Sequence, residues 1–217
     1  MALAAPEVVE PAGVRQGETP ICHVCGLAAS GRFALCFCCD TLVRQLRLPL
    51  VPVVAMASCR VGDALHLCLR GYKDAPVDEV RRRHRDRLAR SAERWLADHG
   101  AEAAHRFGSS WDVVVTVPSS RRPSGAPVDS VVSRVRPLAD RSIPALVRGP
   151  RPTGHLRADR AGFALAPGCP IGPTDRIVVV DDTLVTGARP QSAAAVLRLA
   201  GLRVVGILCL GQMVPRV

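Results

Sequence analysis

The stretch RIVVVDDTLVTGARP places two aspartates directly after an apolar run, and a short loop bearing threonine and glycine follows them. Neighbouring residues of a strand point to opposite faces, so Asp181 and Asp182 cannot both enter a core. Carboxylates at the tip of a strand suit hydrogen bonds to hydroxyls or coordination of Mg²⁺. Thr186 offers a hydroxyl, and Gly187 lets backbone N–H groups approach an anion at the start of the next helix. The pattern predicts a site for a ribose 5-phosphate, with its hydroxyls beside the acids and its phosphate in the loop.

A simpler interpretation is that Asp181 and Asp182 only cap the turn after the strand. The Thr-Gly pair and the helix behind it favour the ligand interpretation, because a capping role does not require them.

A second chemical cluster lies near the start of the chain, where two CxxC pairs are separated by ten residues. Each pair can turn two thiolates onto one ion, and two pairs complete a tetrahedral, closed zinc site, which predicts a structural rather than a catalytic metal. The predicted ligands are Cys22, Cys25, Cys36 and Cys39. Two alternatives stay open, a remnant knuckle with free thiols and a redox CxxC. The remaining scattered thiols are expected to pack in the core, and they are Cys59, Cys68, Cys169 and Cys209.

The elements that must position these residues alternate between strands and helices. Apolar runs predict buried strands at WDVVVTVPSS, IPALV, RIVVV and RVVGILCL. Helices are expected over Val77–Ala104, Val128–Leu138 and from Pro190 to about Ala200, whereas the segments VPVVAMASCR and ALHLCLRGYK look like a β-hairpin. The glycine-, proline- and arginine-rich segment Arg148–Gly162 predicts an irregular loop. Continuously apolar strands separated by helices predict an α/β fold with a mostly parallel sheet and helices on both faces.

Composition limits the classes of protein to which the chain can belong. It has 217 residues and a formal charge of +10, so an anionic partner is expected, although an arginine-rich composition alone could give the same charge. Lys73 is the single lysine. No apolar run reaches the roughly 20 residues that span a bilayer, and the N-terminus lacks the features of a signal peptide. We expect a cytoplasmic protein with a disordered tail over 1–20, a zinc knuckle over 21–48 and a main domain over 49–217.

These motifs together resemble a known family. The segment from Val178 to Gly187 is similar to the PRPP-binding motif of type I phosphoribosyltransferases. A four-cysteine knuckle ahead of such a domain resembles the ComF family, predicted amidophosphoribosyltransferases that are linked to competence for DNA uptake. The segments CLRGYKD and VVVTVPSSRR are similar to two further segments of that family.

The resemblance implies a type I phosphoribosyltransferase fold and a role for each matching residue. Asp181 and Asp182 would hold the ribose hydroxyls and assist Mg²⁺. The 5-phosphate would lie in the loop that follows, formed by Thr183, Val185, Thr186, Gly187, Ala188 and Arg189. Pyrophosphate would lie at the loop from Pro118 and Ser119 to Arg121, within reach of Lys73.

The loop also departs from the family pattern. Thr183 replaces the usual valine, Val185 stands where a threonine or an acid is usual, and Arg189 replaces the closing hydroxyl residue. Arginine can bind phosphate bidentately, so the anion site can persist in another form.

Two functions follow as expectations. The first is a Mg-dependent phosphoribosyltransferase that transfers phosphoribosyl from PRPP, or a related ribose phosphate, to an amine or base. The second is a catalytically silent PRPP- or nucleotide-binding accessory protein of competence-related DNA uptake. Single-stranded DNA or the competence machinery is then a second kind of partner, and a homodimer is left open.

Overall fold

The computed structural model describes residues 20–29, 34–119, 126–151, 153–154 and 156–214. The predicted tail over 1–19 lies outside the described residues, as do positions 120–125 of the loop expected to bind pyrophosphate. Within the described ranges, no helix combines the length and the apolarity that crossing a membrane requires.

Strands and helices alternate along most of the chain. The strands are β1 (Val53–Ala55), β2 (Ser58–Cys59), β3 (Val113–Thr116), β4 (Leu146–Arg148), β5 (Phe163–Leu165), β6 (Arg176–Leu184) and β7 (Arg203–Met213). The helices are α1 (Phe37–Leu46), α2 (Ala64–Asp74), α3 (Asp78–Arg106), α4 (Asp129–Val132), α5 (Arg136–Ala139) and α6 (Ala188–Leu199).

The main sheet is parallel, with strand order β1-β7-β6-β3, and β2 continues the edge by pairing with the end of β7. β4 and β5 form a separate antiparallel pair at the two ends of the irregular segment 149–162. The predicted α/β class with a mostly parallel sheet is therefore confirmed.

Residues of the central strands alternate between two buried layers. Val178, Val180 and Leu208 pack on one face with α2, α3 and the short helices α4 and α5. Ile177 and Val179 pack on the other face with α6 and with the four-cysteine segment. Both faces of the sheet are covered, which explains why its strands are apolar throughout.

The predicted hairpin is wrong in its second half. Val53–Ala55 and Ser58–Cys59 are extended, but the segment ALHLCLRGYKD forms the helix α2. Its apolar residues recur at the helical spacing i, i+3, i+4 and i+7, namely Leu65, Cys68, Leu69 and Tyr72. This spacing gives the helix one apolar side, which packs against α3 and the sheet.

The predicted helix over Val128–Leu138 is divided into α4 and α5. Val135 is extended between them, with φ −103° and ψ 95°, and Pro137 lies in the first turn of α5. Proline has no N–H to donate to a preceding turn, so one continuous helix through this position would lose a hydrogen bond. The other predicted helices match α3 and α6, with Gly201 in the left-handed conformation just after α6.

Candidate functional site

A cavity of about 480 Å³ opens at the carboxyl ends of the parallel strands, where open α/β sheets bind their ligands. The end of β6 and the loop after it form one wall, and α2 forms the opposite wall. Residues after β3 and at the end of β7 complete the lining. The predicted site residues that line the cavity are Asp181, Asp182, Thr183, Val185, Arg189, Lys73 and Ser119. Residues that sequence reasoning missed are His66, Leu69, Arg70, Asp74, Val117, Pro127, Val128 and Met213.

The two aspartates lie within β6 rather than beyond its end. Their side chains leave opposite faces of the strand, and they are only 7% and 9% exposed. Asp181 accepts a hydrogen bond from the backbone N–H of Asp182 at 2.9 Å, on the side of the strand that faces α6. Burial, and then the neighbouring Asp182 carboxylate, raise the pKa of Asp181 to about 7, although Arg189 opposes the rise. An ionised acid pair in this position therefore favours a nearby cation.

Asp182 faces α2 and meets two donors from that helix. The Tyr72 hydroxyl donates a hydrogen bond to its Oδ2 atom, and Lys73 Nζ lies 2.5 Å from the same oxygen. Lys73 Nζ also lies 5.4 Å from the centre of the Tyr72 ring. Tyr72 was not predicted as a site residue, because in a strand it would point away from Lys73. In a helix, residues 72 and 73 can reach the same carboxylate.

The loop after β6 turns sharply into α6. Gly187 caps this helix with φ +86°, a conformation that other residues adopt rarely, and the Thr186 hydroxyl accepts a hydrogen bond from the N–H of Ala188 at 3.3 Å. The small cavity enclosed by this loop is about 10 Å³, the size of one water molecule. The space within the loop is therefore too small to enclose a phosphate group.

Arg189 connects this loop to the end of β3. Its guanidinium donates to the carbonyl of Pro118 and lies 5.7 Å from the centre of the Phe163 ring. The side chain that departs from the family pattern is thus placed at the boundary between the predicted phosphate and pyrophosphate positions. Ser119 accepts a hydrogen bond from Arg148 through its carbonyl at 2.7 Å, which fixes the start of the β3 loop as far as position 119.

The segment 149–162 is held away from the cavity. Ala158 N–H donates to Gln45 of α1 at 2.7 Å, and Asp159 N–H donates to the Ser192 hydroxyl of α6 at 3.0 Å. Among its positions for which the structure gives coordinates, none lines the cavity.

The four predicted zinc ligands converge on one point. The Sγ atoms of Cys22, Cys25, Cys36 and Cys39 all lie within 4.8 Å of one another, and those of Cys25 and Cys36 are 3.6 Å apart. Tetrahedral zinc with Zn–S bonds of 2.3 Å separates its sulfurs by about 3.8 Å. The donor set and its spacing fit a structural metal such as zinc.

Local structure explains why the thiols meet. Gly26, with φ +74°, reverses the chain after Cys25, and its N–H donates to the carbonyl of Cys22 at 2.9 Å. Cys36 precedes α1 and Cys39 lies in its first turn, so one helical turn brings both to the same side. Burial raises the pKa of the Cys36 thiol to about 11, whereas a hydrogen bond with Cys39 lowers the pKa of Cys25 to about 5. Four thiolates this close together would repel one another, so a bound cation would be needed to hold all four deprotonated.

The cysteine segment also contacts the cavity-forming elements. Leu42 of α1 is buried against Ala188 at the start of α6, and a Cβ atom added to Gly187 would lie 3.5 Å from Leu42 Cδ1. Val24 accepts a hydrogen bond from β1 at 2.7 Å, and Cys25 accepts one from Gln212 of β7 at 3.3 Å. The four-cysteine segment and the loop after β6 are therefore joined by direct packing.

The chain matches no family when compared with the known protein families, and no curated protein matches it in sequence. The resemblance to the ComF family and to type I phosphoribosyltransferases therefore rests on the sequence motifs alone.

The raised pKa of Asp181 predicts a pH-dependent stability. Its folded-state pKa of about 7 exceeds the unfolded value near 3.8, so the folded protein binds more protons between these values. Stability should therefore fall as pH rises from 4 to 7. Replacing Asp181 by Asn should raise the Tm by roughly 10 °C at pH 8 and change it little at pH 4.

Thermal melts over this pH range test the prediction. Asp98→Asn, at an exposed position of α3, is the control and should give no pH-dependent difference. A Tm difference between wild type and Asp181→Asn that stays constant from pH 4 to pH 8 would contradict the assignment.

Proposed function

We propose that the protein binds PRPP with Mg²⁺ across the carboxyl ends of β3 and β6 and transfers its phosphoribosyl group to an amine or base, releasing pyrophosphate. The observation that carries the proposal is the convergence on one cavity of Asp181, Asp182, Lys73 and Arg189 beside the loop that begins α6. Asp181, Asp182 and Arg189 were predicted from one motif, and Lys73 was predicted from a distant segment. Their meeting supports a common ligand that carries hydroxyls and phosphates.

The acids fit the ribose and metal end of this ligand. Mg²⁺ prefers oxygen ligands, and in nucleotide sites it is commonly held by one or two carboxylates together with phosphate oxygens. Asp181 and Asp182 would supply those carboxylates, and their other oxygens would accept hydrogen bonds from the ribose hydroxyls. The metal, when bound, would offset the negative charge that develops on the departing pyrophosphate.

The basic residues fit the anionic ends of the ligand. The loop N–H groups at the start of α6 favour a phosphate, because they lie at the positive end of the helix dipole. Lys73 on α2 and Arg189 beside Pro118 flank the space between the two strand ends, where pyrophosphate would leave. Positive groups fixed there would stabilise the charge of the leaving group in the transition state.

One observation favours a second candidate, a PRPP- or nucleotide-binding protein without turnover. Val185 lines the cavity, is 41% exposed and offers no proton acceptor where the family pattern places a threonine or an acid. Binding depends on the acids and the loop, whereas transfer to an amine also needs the acceptor's proton to be removed. The two candidates therefore share a ligand and differ in chemistry.

The direct experiment measures binding and turnover separately. The full chain is titrated with PRPP in the presence and absence of Mg²⁺ by calorimetry, and pyrophosphate release is then assayed with a panel of amines and bases. We expect Mg²⁺-dependent binding and release with at least one acceptor. Binding without release across the panel would favour the second candidate, and absence of binding would contradict both.

A further inference from the structure

Two donors share one oxygen of Asp182, and their environments differ. Tyr72 and Lys73 both reach Oδ2. Tyr72 is only 3% exposed, and its ring packs in the core between α2, α3 and the sheet. The Lys73 side chain is 26% exposed and lies in the cavity wall on a flexible four-carbon stem.

We propose that Tyr72 holds Asp182 in position permanently, and that Lys73 is an exchangeable counter-cation that moves from Asp182 to the anionic part of the ligand when the ligand binds. The proposal rests on the proposed function, because it assumes a ligand that brings both a divalent cation and a diphosphate. It adds to that function an exchange step that the sequence motifs do not contain.

The charges make the exchange favourable. Without ligand, the Asp182 carboxylate is 12% exposed and lies beside a second buried acid, Asp181, so a nearby cation lowers the energy of the pair. A divalent cation at the same acids takes over this role and repels the ammonium group of Lys73. The ligand's phosphates then offer Lys73 a new anionic partner in the same cavity.

Tyr72 responds differently, because it is neutral and rigidly packed. A metal at Asp182 does not repel a phenolic hydroxyl, so its hydrogen bond can persist throughout. With Oδ2 held by Tyr72, the carboxylate keeps one orientation while its counter-cation changes. Tyr72 is therefore a positioning residue, and Lys73 is the residue that contacts the leaving group.

The test compares two affinities in the full-length protein. The affinity for Mn²⁺ alone, measured by electron paramagnetic resonance, shows how well the two acids bind a divalent cation when no anion is present. The affinity for pyrophosphate in the presence of Mg²⁺, measured by calorimetry, shows how well the site binds the anion once the cation is in place. For Lys73→Met we expect opposite changes, with Mn²⁺ binding roughly threefold or more tighter and pyrophosphate binding roughly tenfold or more weaker. Tyr72→Phe should weaken Mn²⁺ binding roughly threefold, since the carboxylate loses its fixed donor.

Arg83→Met is the matched control, because it also removes one positive charge but from an exposed position of α3. It should leave both affinities unchanged, and thermal melts check that each variant is folded. Weaker Mn²⁺ binding in Lys73→Met would overturn the exchange, and tighter binding in Tyr72→Phe would overturn the positioning role. Wild-type protein that binds neither probe would contradict the proposed function as well, whereas wild-type binding with unaltered variants would contradict this inference alone.

Discussion

Replacing Asp181 and Asp182 together by asparagine should weaken PRPP binding in the presence of Mg²⁺ by at least about a hundredfold. Hydrogen bonds to a charged group contribute roughly 1.5–3 kcal/mol each, so losing the charge at two such residues costs roughly 3 kcal/mol or more. Asparagine keeps the shape of both side chains and can still accept the backbone hydrogen bond made by Asp181. The loss should therefore appear in ligand affinity and in pyrophosphate release, measured by calorimetry and by a coupled assay.

A matched control separates the site from a general effect of charge. Glu93→Gln with Asp98→Asn removes two carboxylates from exposed positions of α3 and should leave PRPP affinity unchanged. A thermal melt at pH 8 checks the fold of the double asparagine variant, because Asp181→Asn removes a carboxylate that is ionised there at a cost whereas Asp182→Asn removes the ion-pair partner of Lys73. If the folded double variant kept the PRPP affinity of wild type, Asp181 and Asp182 would not be part of the binding site.

Replacing Cys36 by Ser should abolish metal binding and strongly destabilise the protein. Four thiolates are needed for a closed tetrahedral site, and structural zinc contributes about 10–16 kcal/mol to the folding of small zinc-finger peptides at neutral pH. Here part of the folding energy comes from packing of the same segment on the sheet, so we expect a smaller loss, roughly 3–5 kcal/mol. Elemental analysis should fall from one zinc per chain to none, and the Tm should fall by about 10 °C.

Cys38 provides the control inside the same segment. It lies between two of the four ligands in sequence and packs against the same core, but it is not among the converging thiols. Cys38→Ser should retain one zinc per chain. Loss of zinc in Cys38→Ser together with its retention in Cys36→Ser would show that the ligand set is different.

The sequence was most informative where its pattern was long or chemically specific. The valine-rich runs before Asp181 and after Trp111 identified two buried strands of the main sheet, since only a strand covered on both faces is apolar at every position. The two CxxC pairs likewise identified four side chains that meet in space. In both cases the local pattern admits few alternative structures.

The sequence misled where an apolar segment was short. Leu65 to Lys73 can be read as a strand or as a helix, because short runs satisfy both periods. The choice had chemical consequences, since a strand separates Tyr72 from Lys73 whereas a helix lets both reach Asp182. Apart from Lys73, the cavity-lining residues of α2 were missed, because a segment read as a strand gives no prediction of the side that a helix presents to the cavity.

Other site residues could not be found from local patterns at all. Met213, Val117 and Pro127 line the cavity because three distant segments meet at one end of the sheet. Arg189 was flagged only as a departure from a motif, and its contact with the carbonyl of Pro118 depends on the pairing of β3 beside β6. Such contacts depend on the order of the strands in the sheet, which local sequence patterns do not predict.

The packing of Leu42 beside Gly187 makes the cysteine segment part of the scaffold that shapes the loop after β6. A chain cut at residue 48 would lose the layer formed by Cys22, Val24, Cys36 and Cys39 and would leave one face of the sheet bare beside α6. Oxidation of the thiols would act on the same segment, because it would release a metal bound there and loosen the start of α1, whose leucines pack against α6. The proposed ligand site would then be sensitive to oxidation of four cysteines that do not line its cavity.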